Sequence, residues 1–107
     1  MRKSKPKESV LQKKVTDYIR SNYKHSVTFK VEKSSVDGTP DFFFTIPIFG
    51  PGMIEFKRDI TCEPRPNQVS MIARLNKGDC PTFVVHTFEE WMSIKAIIDS
   101  VILARKV

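Results

Sequence analysis

Asp41, Glu55 and Lys57 have the residue types and the spacing that phosphate chemistry needs. Asp41 opens the run Asp41-Phe42-Phe43-Phe44-Thr45-Ile46, and Glu55 and Lys57 alternate with apolar residues in Met53-Ile54-Glu55-Phe56-Lys57. The two runs are aromatic and β-branched and are separated by Phe49-Gly50-Pro51-Gly52. That composition predicts two antiparallel strands, about 41–48 and 53–58, joined by a turn. Residues two apart on a strand share a face and lie about 7 Å from each other. Glu55 and Lys57 therefore share one face, and Ile54 and Phe56 take the other. Charges on so apolar a strand are costly to bury unless they meet each other, a metal or a ligand.

Asp41 and Glu55 offer hard oxygen ligands of the kind Mg²⁺ takes. A metal held there lowers the pKa of a bound water and screens a phosphate. Lys57 is suited to orienting that water or neutralising developing negative charge. The plainer alternative is an Asp at a turn beside an exposed Glu-Lys pair. Two features weigh against it: the strands are too hydrophobic to be exposed, and Asp41 follows Gly38-Thr39-Pro40, whose rigid turn fixes the direction of the carboxylate.

Gly38-x-Pro40-Asp41 followed by Glu55-x-Lys57 resembles the PD-(D/E)xK nuclease superfamily and, more narrowly, is similar to the VRR-NUC domain. That family's pattern also has a Glu on the N-terminal helix and a Gln on the helix after Glu-x-Lys, and Glu8 and Gln68 stand at those positions. The resemblance runs from Glu8 to about Val85. It implies a restriction-endonuclease-like core and a metal-dependent endodeoxyribonuclease using Mg²⁺ or Mn²⁺. Asp41, Glu55 and the Phe56 backbone carbonyl would hold the metal, with Glu8 a further candidate ligand. Lys57 would assist the water, and Glu8 and Gln68 would complete the catalytic cleft. DNA, especially in branched form, is the implied substrate. Stand-alone family members point to a homodimer resolving Holliday-type junctions, and to a phage or bacterial source.

The 107 residues suffice for one domain with a modest core. Eighteen Lys and Arg face twelve acids, a net charge of +6 that favours a polyanionic partner, nucleic acid first. Residues 1–7 read as a basic mobile arm ahead of a single domain over 8–107. Lys3, Lys5 and Lys7 on that arm, Lys13 and Lys14 on the first helix, and Lys33 and Arg58 in loops are the candidate DNA-binding cations. A solubilising tail and a plain connecting loop are the alternatives for the arm and for Lys33. Cys62 and Cys80 are far apart with no Cys-x-x-Cys pattern, so free thiols are expected, and with His25 and His86 they lack the paired-ligand rhythm of a zinc site. No apolar segment follows the basic N-terminus and none approaches membrane-spanning length, so the expected location is cytoplasmic.

Apolar spacing predicts a helix over about 7–23, with Leu11, Val15 and Ile19 on its inward stripe. Glu8 lies one turn before Leu11 on that stripe, facing the interior or merely complementing the helix dipole. A half-buried strand is predicted over about 27–33. Pro66 starts a helix that Gly78 closes, and Gln68 is an inward polar residue there, either in the site or a core-edge amide bonded to backbone. A short strand, about 81–86, precedes a final helix whose start, Thr87 with Glu90, reads as a capping box. The order αβββαβα is an α/β fold, a mixed sheet flanked by helices, with a parallel crossover through the second helix. Ile46, Ile48 and Phe49 at the hairpin tip, with Ile97 and Leu103 on the last helix, suggest spare apolar surface for an interface. A non-catalytic nucleic-acid-binding module and a protein-interaction domain remain as competing functions.

Overall fold

The computed structural model describes residues 5–32, 36–58 and 60–106, with side chains from residue 8 onward. Helix α1 spans Lys5–Asn22, strand β1 Val27–Lys30, β2 Phe42–Ile46 and β3 Gly50–Phe56. Helix α2, Pro66–Lys77, leads to β4, Thr82–Val85, and α3 closes the order at Phe88–Lys106. The four strands form one mixed sheet in the order β1-β2-β3-β4. β1, β2 and β3 are antiparallel neighbours, and β3 and β4 are parallel, with α2 as the crossover. The expected order and fold class hold.

Side-chain alternation along the strands makes two unlike faces. One carries Phe44, Ile46, Ile54, Phe56 and Val85, which pack with Leu11, Val15 and Ile19 of α1 and with Trp91, Ile94 and Ile98 of α3. Tyr18 meets Phe88 and Trp91 edge-on, at 5.9 and 6.0 Å between ring centroids. Burying each large apolar side chain of this layer stabilises the fold by about 1.5–3 kcal/mol. The other face carries Met53, Glu55 and Lys57, and α2 lies over its β3–β4 half.

Several expectations need correction. The hairpin turn is Pro47–Phe49, not Phe49–Gly52, and β3 already begins at Gly50, opposite Ile46. Gly52 belongs in the strand because the Phe44 ring and the Pro81 carbonyl occupy the space a Cβ would need. Pro51 is tolerated because its missing N–H faces the side where β4 has not yet begun. The tip also folds back: Ile46 and Phe49 are buried in the core, and Arg105 Nη1 donates to the carbonyls of Ile48 and Phe49 at 3.0 and 2.7 Å. Only Ile48 of those three is exposed there, while Ile97 and Leu103 are exposed as expected.

On β1 the apolar residues face outward. Val27 and Phe29 are half exposed and Thr28 is buried. Helix α1 begins at Lys5, inside the expected arm of residues 1–7, whose first four residues lie outside the described residues; Pro6 costs nothing in a first turn whose N–H groups lack helical partners. Lys3 and Lys33 lie outside the described residues, as do the side chains of Lys5 and Lys7.

Candidate active site

The hairpin register places the two carboxylates together. Phe42 stands opposite Ile54, so one residue further along the antiparallel pair Asp41 stands opposite Glu55 on the same face. Before it, Gly38 adopts a φ of +84°, and an added Cβ would sit 2.5 Å from the Asn67 carbonyl oxygen, so the loop packs directly on the start of α2. Asn67 Nδ2 donates to Asp37 Oδ2 at 2.6 Å and ties the same loop to the helix. Pro40 is fully buried. Asp41 Oδ2 accepts the Phe56 N–H at 3.0 Å, serving a donor that the ladder leaves unpaired beyond Phe42. In an extended strand the N–H and C=O of one residue point to the same side, so the Phe56 carbonyl also faces Asp41.

Glu55 is only 3% exposed. Its Oε2 accepts from Lys57 Nζ at 3.1 Å and from Gln68 Nε2 at 2.9 Å. Gln68 Oε1 accepts from Lys57 Nζ at 3.2 Å and from the Arg65 N–H at 3.0 Å. One amide therefore caps the first turn of α2, holds Lys57 and orients the carboxylate. The two readings of Gln68, site residue and core-edge amide, describe the same contacts. Glu55 Oε1 is buried with no hydrogen-bond partner. A buried carboxylate oxygen left unserved is costly unless a cation meets it.

The electrostatics point the same way. Burial, and then the Asp41 charge, raises the pKa of Glu55, while Lys57 and Gln68 oppose the rise. Asp41 is raised chiefly by burial, against the Phe56 N–H, Lys57 and Lys30. Glu8 is raised by burial and by Asp41, with Lys57, Arg58 and Lys30 opposing. A buried and a half-buried carboxylate on one face suit a divalent cation. The orphaned Oε1, the Asp41 carboxylate and the Phe56 carbonyl are hard oxygen donors that fit Mg²⁺ or Mn²⁺. Among the described residues no group of three or more His, Cys, Asp or Glu gathers as a metal cluster. The carboxylate set is thus a pair, to which Glu8 is coupled through charge. Glu8 itself accepts a 3.4 Å bond from Gln12.

Glu55, Lys57 and Gln68 are joined by direct hydrogen bonds, and Asp41 joins them through the Phe56 N–H and through charge. Arg58 is exposed at the cleft and its charge acts on Glu8. Lys13 and Lys14 lie on the exposed side of α1, Lys13 paired with Asp17 at 2.8 Å and Lys14 over the Phe88 ring. Lys30 was not among the candidate cations, yet its charge acts on both Asp41 and Glu8. The signal for it is the β1 register, which sets Lys30 opposite Phe42, next to Asp41. Cys62 and Cys80 are free thiols, and His86 is engaged with the Glu90 carboxylate and the Cys62 carbonyl at 2.9 and 3.0 Å. Glu90 also accepts the His86 N–H, one residue before the Thr87 N–H a capping box would use, while Thr87 Oγ1 caps the Glu90 N–H as expected.

This architecture occurs in a solved structure described as a VRR_NUC domain. The two superpose with a TM-score of 0.70 over 90% of this chain and 94% of the other, at 24% sequence identity. This chain has the VRR_NUC fold. No protein-family model matches the sequence, and no curated protein does. At that identity the likeness establishes the fold, and the chemistry rests on the side chains.

Proposed function

We propose that this chain is a divalent-metal-dependent endodeoxyribonuclease that cuts branched DNA. The observation that carries the reading is the unpartnered Glu55 Oε1, buried on the same face as Asp41 while Lys57 and Gln68 saturate the other Glu55 oxygen. Asp41, Glu55 and the Phe56 carbonyl would hold the metal. Mg²⁺ or Mn²⁺, when bound, supplies an acidified water and a positive charge against the phosphate. Lys57, only partly exposed, holds its ammonium where it can orient that water and offset charge developing on the phosphate. Gln68 keeps Glu55 and Lys57 in register, and Glu8 bounds the cleft. Arg58, Lys13 and Lys14 would meet phosphates outside it.

One chain offers one such set. Coordinated cutting of two strands needs two, and a two-fold homodimer is the commonest way to supply them. The reading therefore extends to a dimer acting on Holliday-type junctions. A binding module without catalysis is disfavoured, because carboxylates beside a phosphate weaken binding unless a cation is there. Incubating the protein with plasmid, linear duplex and four-way-junction DNA, with Mg²⁺, with Mn²⁺ and in EDTA, tests this. Metal-dependent nicking of the junction is expected. Binding without cutting in either metal would overturn the enzymatic reading.

A further inference from the structure

We infer that Arg65, at the start of α2, binds the DNA phosphate next to the one being cut. The inference deepens the nuclease reading and rests on it for the choice of polyanion. A cleft of about 280 Å³ lies between the loop before Asp41 and the N-terminus of α2. Asp41, Gln68 and Arg65 all border it. Gln68 in turn holds Glu55, whose Oε1 is buried without a partner. The cleft thus adjoins the oxygens proposed to hold the metal. Among the described residues that border it, Arg65 is the one cation.

Arginine is an unfavourable residue for the helix it starts. Residue 65 is the N-cap of α2, where Ser, Thr, Asp or Asn would accept the N–H of Asn67 or Gln68. Arginine has no acceptor to offer, and its charge meets the positive end of the helix dipole. The helix starts without help from that side chain: Pro66 fits the first turn, and Gln68 Oε1 takes the Arg65 backbone N–H at 3.0 Å. Arg65 is exposed and, among the described residues, in no ion pair. Two further carboxylates border the cleft. Asp37 is occupied by Asn67 Nδ2 at 2.6 Å, and Glu32 is exposed and forms no ion pair with Arg65. A side chain that costs the helix and that the fold does not pair marks a functional position. A phosphate relieves both costs, since it accepts from the guanidinium and suits the N-terminus of α2.

Arg65 and Lys57 serve different phosphates. Lys57 acts on both Asp41 and Glu55, and Arg65 is not among the charges that do so. Lys57 therefore faces the reacting phosphate, and Arg65 takes its neighbour further along the cleft.

The test measures binding of four-way-junction DNA in EDTA, where it does not depend on cleavage. Single phosphates of the junction are replaced in turn by uncharged methylphosphonates. Wild type should lose about tenfold in affinity at one phosphate, next to the bond it cuts in Mg²⁺. Arg65→Gln should bind the unmodified junction about tenfold less tightly and lose nothing further at that phosphate. Its salt dependence should be shallower by about 0.9, the share of one phosphate contact. Arg65→Ser restores a capping oxygen, so it should melt at a higher temperature than wild type while binding as weakly as Arg65→Gln. Equal losses in wild type and Arg65→Gln at every phosphate, a coupled phosphate remote from the cut, or no binding of the junction by wild type would each overturn the inference. An Arg65→Ser protein that melts below wild type at unchanged affinity would also overturn it, for Arg65 would then serve the fold. Wild type that shows the coupling yet cuts nothing in Mg²⁺ or Mn²⁺ would keep the phosphate site and remove the nuclease. Wild type that cuts while Arg65→Gln keeps full affinity would keep the nuclease and remove the site.

Discussion

At the residue scale the site is a pair of carboxylates that the fold makes costly. Both have folded pKa values above their ordinary range, mainly because of burial. A raised carboxylate adds stability while it is protonated, and that contribution is lost as pH rises through the folded value. Without metal the pair therefore weakens the fold increasingly above the ordinary carboxylate range. Asp41→Asn should be more stable than wild type in EDTA at about pH 8, and the gap should shrink at about pH 5. Thermal melts at the two pH values check this; equal melting points at both would show that the carboxylate carries no strain. Adding Mn²⁺ should raise the melting point of wild type and not of Asp41→Asn, because ligands that bind only the folded state stabilise it. Gln68 acts through its neighbours. Gln68→Ala should retain the fold and lower the cleavage rate about 10- to 100-fold, the usual cost of losing a partner to a ligating carboxylate. Wild-type rates in that variant would reduce Gln68 to a helix cap.

At the element scale, the type of every helix and strand was legible from apolar spacing, and boundaries mostly fell within a few residues. The register was not. A turn at 49–52 sets Ile48 against Met53, which would put Glu55 opposite Ile46 and far from Asp41. The true turn, at 47–49, starts two residues earlier and is one residue shorter, because Gly52 is needed inside the strand under the Phe44 ring. Composition shows that glycine and proline break a run; it does not show which of them a neighbouring ring requires. The facing of β1 was hidden for a similar reason. Alternation separates Phe29 from Thr28, but only the tertiary fold decides that the helices cover the Thr28 side. The loop before Asp41 gives an element-scale prediction. Gly38→Ala puts a Cβ 2.5 Å from the Asn67 carbonyl at a φ of +84°, a strain of about 1–3 kcal/mol, and pushes Asp41 away from Glu55. Activity should fall more steeply than stability when cleavage rate and chemical denaturation are compared. A stable, fully active Gly38→Ala would mean that the loop does not set the carboxylate.

At the scale of the whole molecule, Asp41, Glu55, Lys57 and Gln68 come from the β2–β3 hairpin, its flanking residues and the following helix, a compact unit whose signature is legible because its parts lie close along the chain. Glu8 is different. It reaches the site from the far end of the chain through charge, and its helical position alone left its role open. The expected dimer rested on the resemblance and on apolar surplus, and the structure redistributes that surplus: Ile46 and Phe49 go into the core, while Ile48, Ile97 and Leu103 stay exposed. Light scattering at micromolar concentration should give twice the 12.3 kDa chain mass. A monomer mass, with and without junction DNA, would remove paired cutting but not the chemistry of one site. That chemistry is the central claim, and the most direct measurement is cleavage of labelled junction DNA by wild type and by Asp41→Asn side by side in Mg²⁺. Wild type should cut, EDTA should stop it, and Asp41→Asn, with a wild-type circular dichroism spectrum, should be slower by about 100-fold or more, the scale of losing preorganised charge at a reacting phosphate. Undiminished cutting by folded Asp41→Asn, or by wild type in EDTA, would contradict the account.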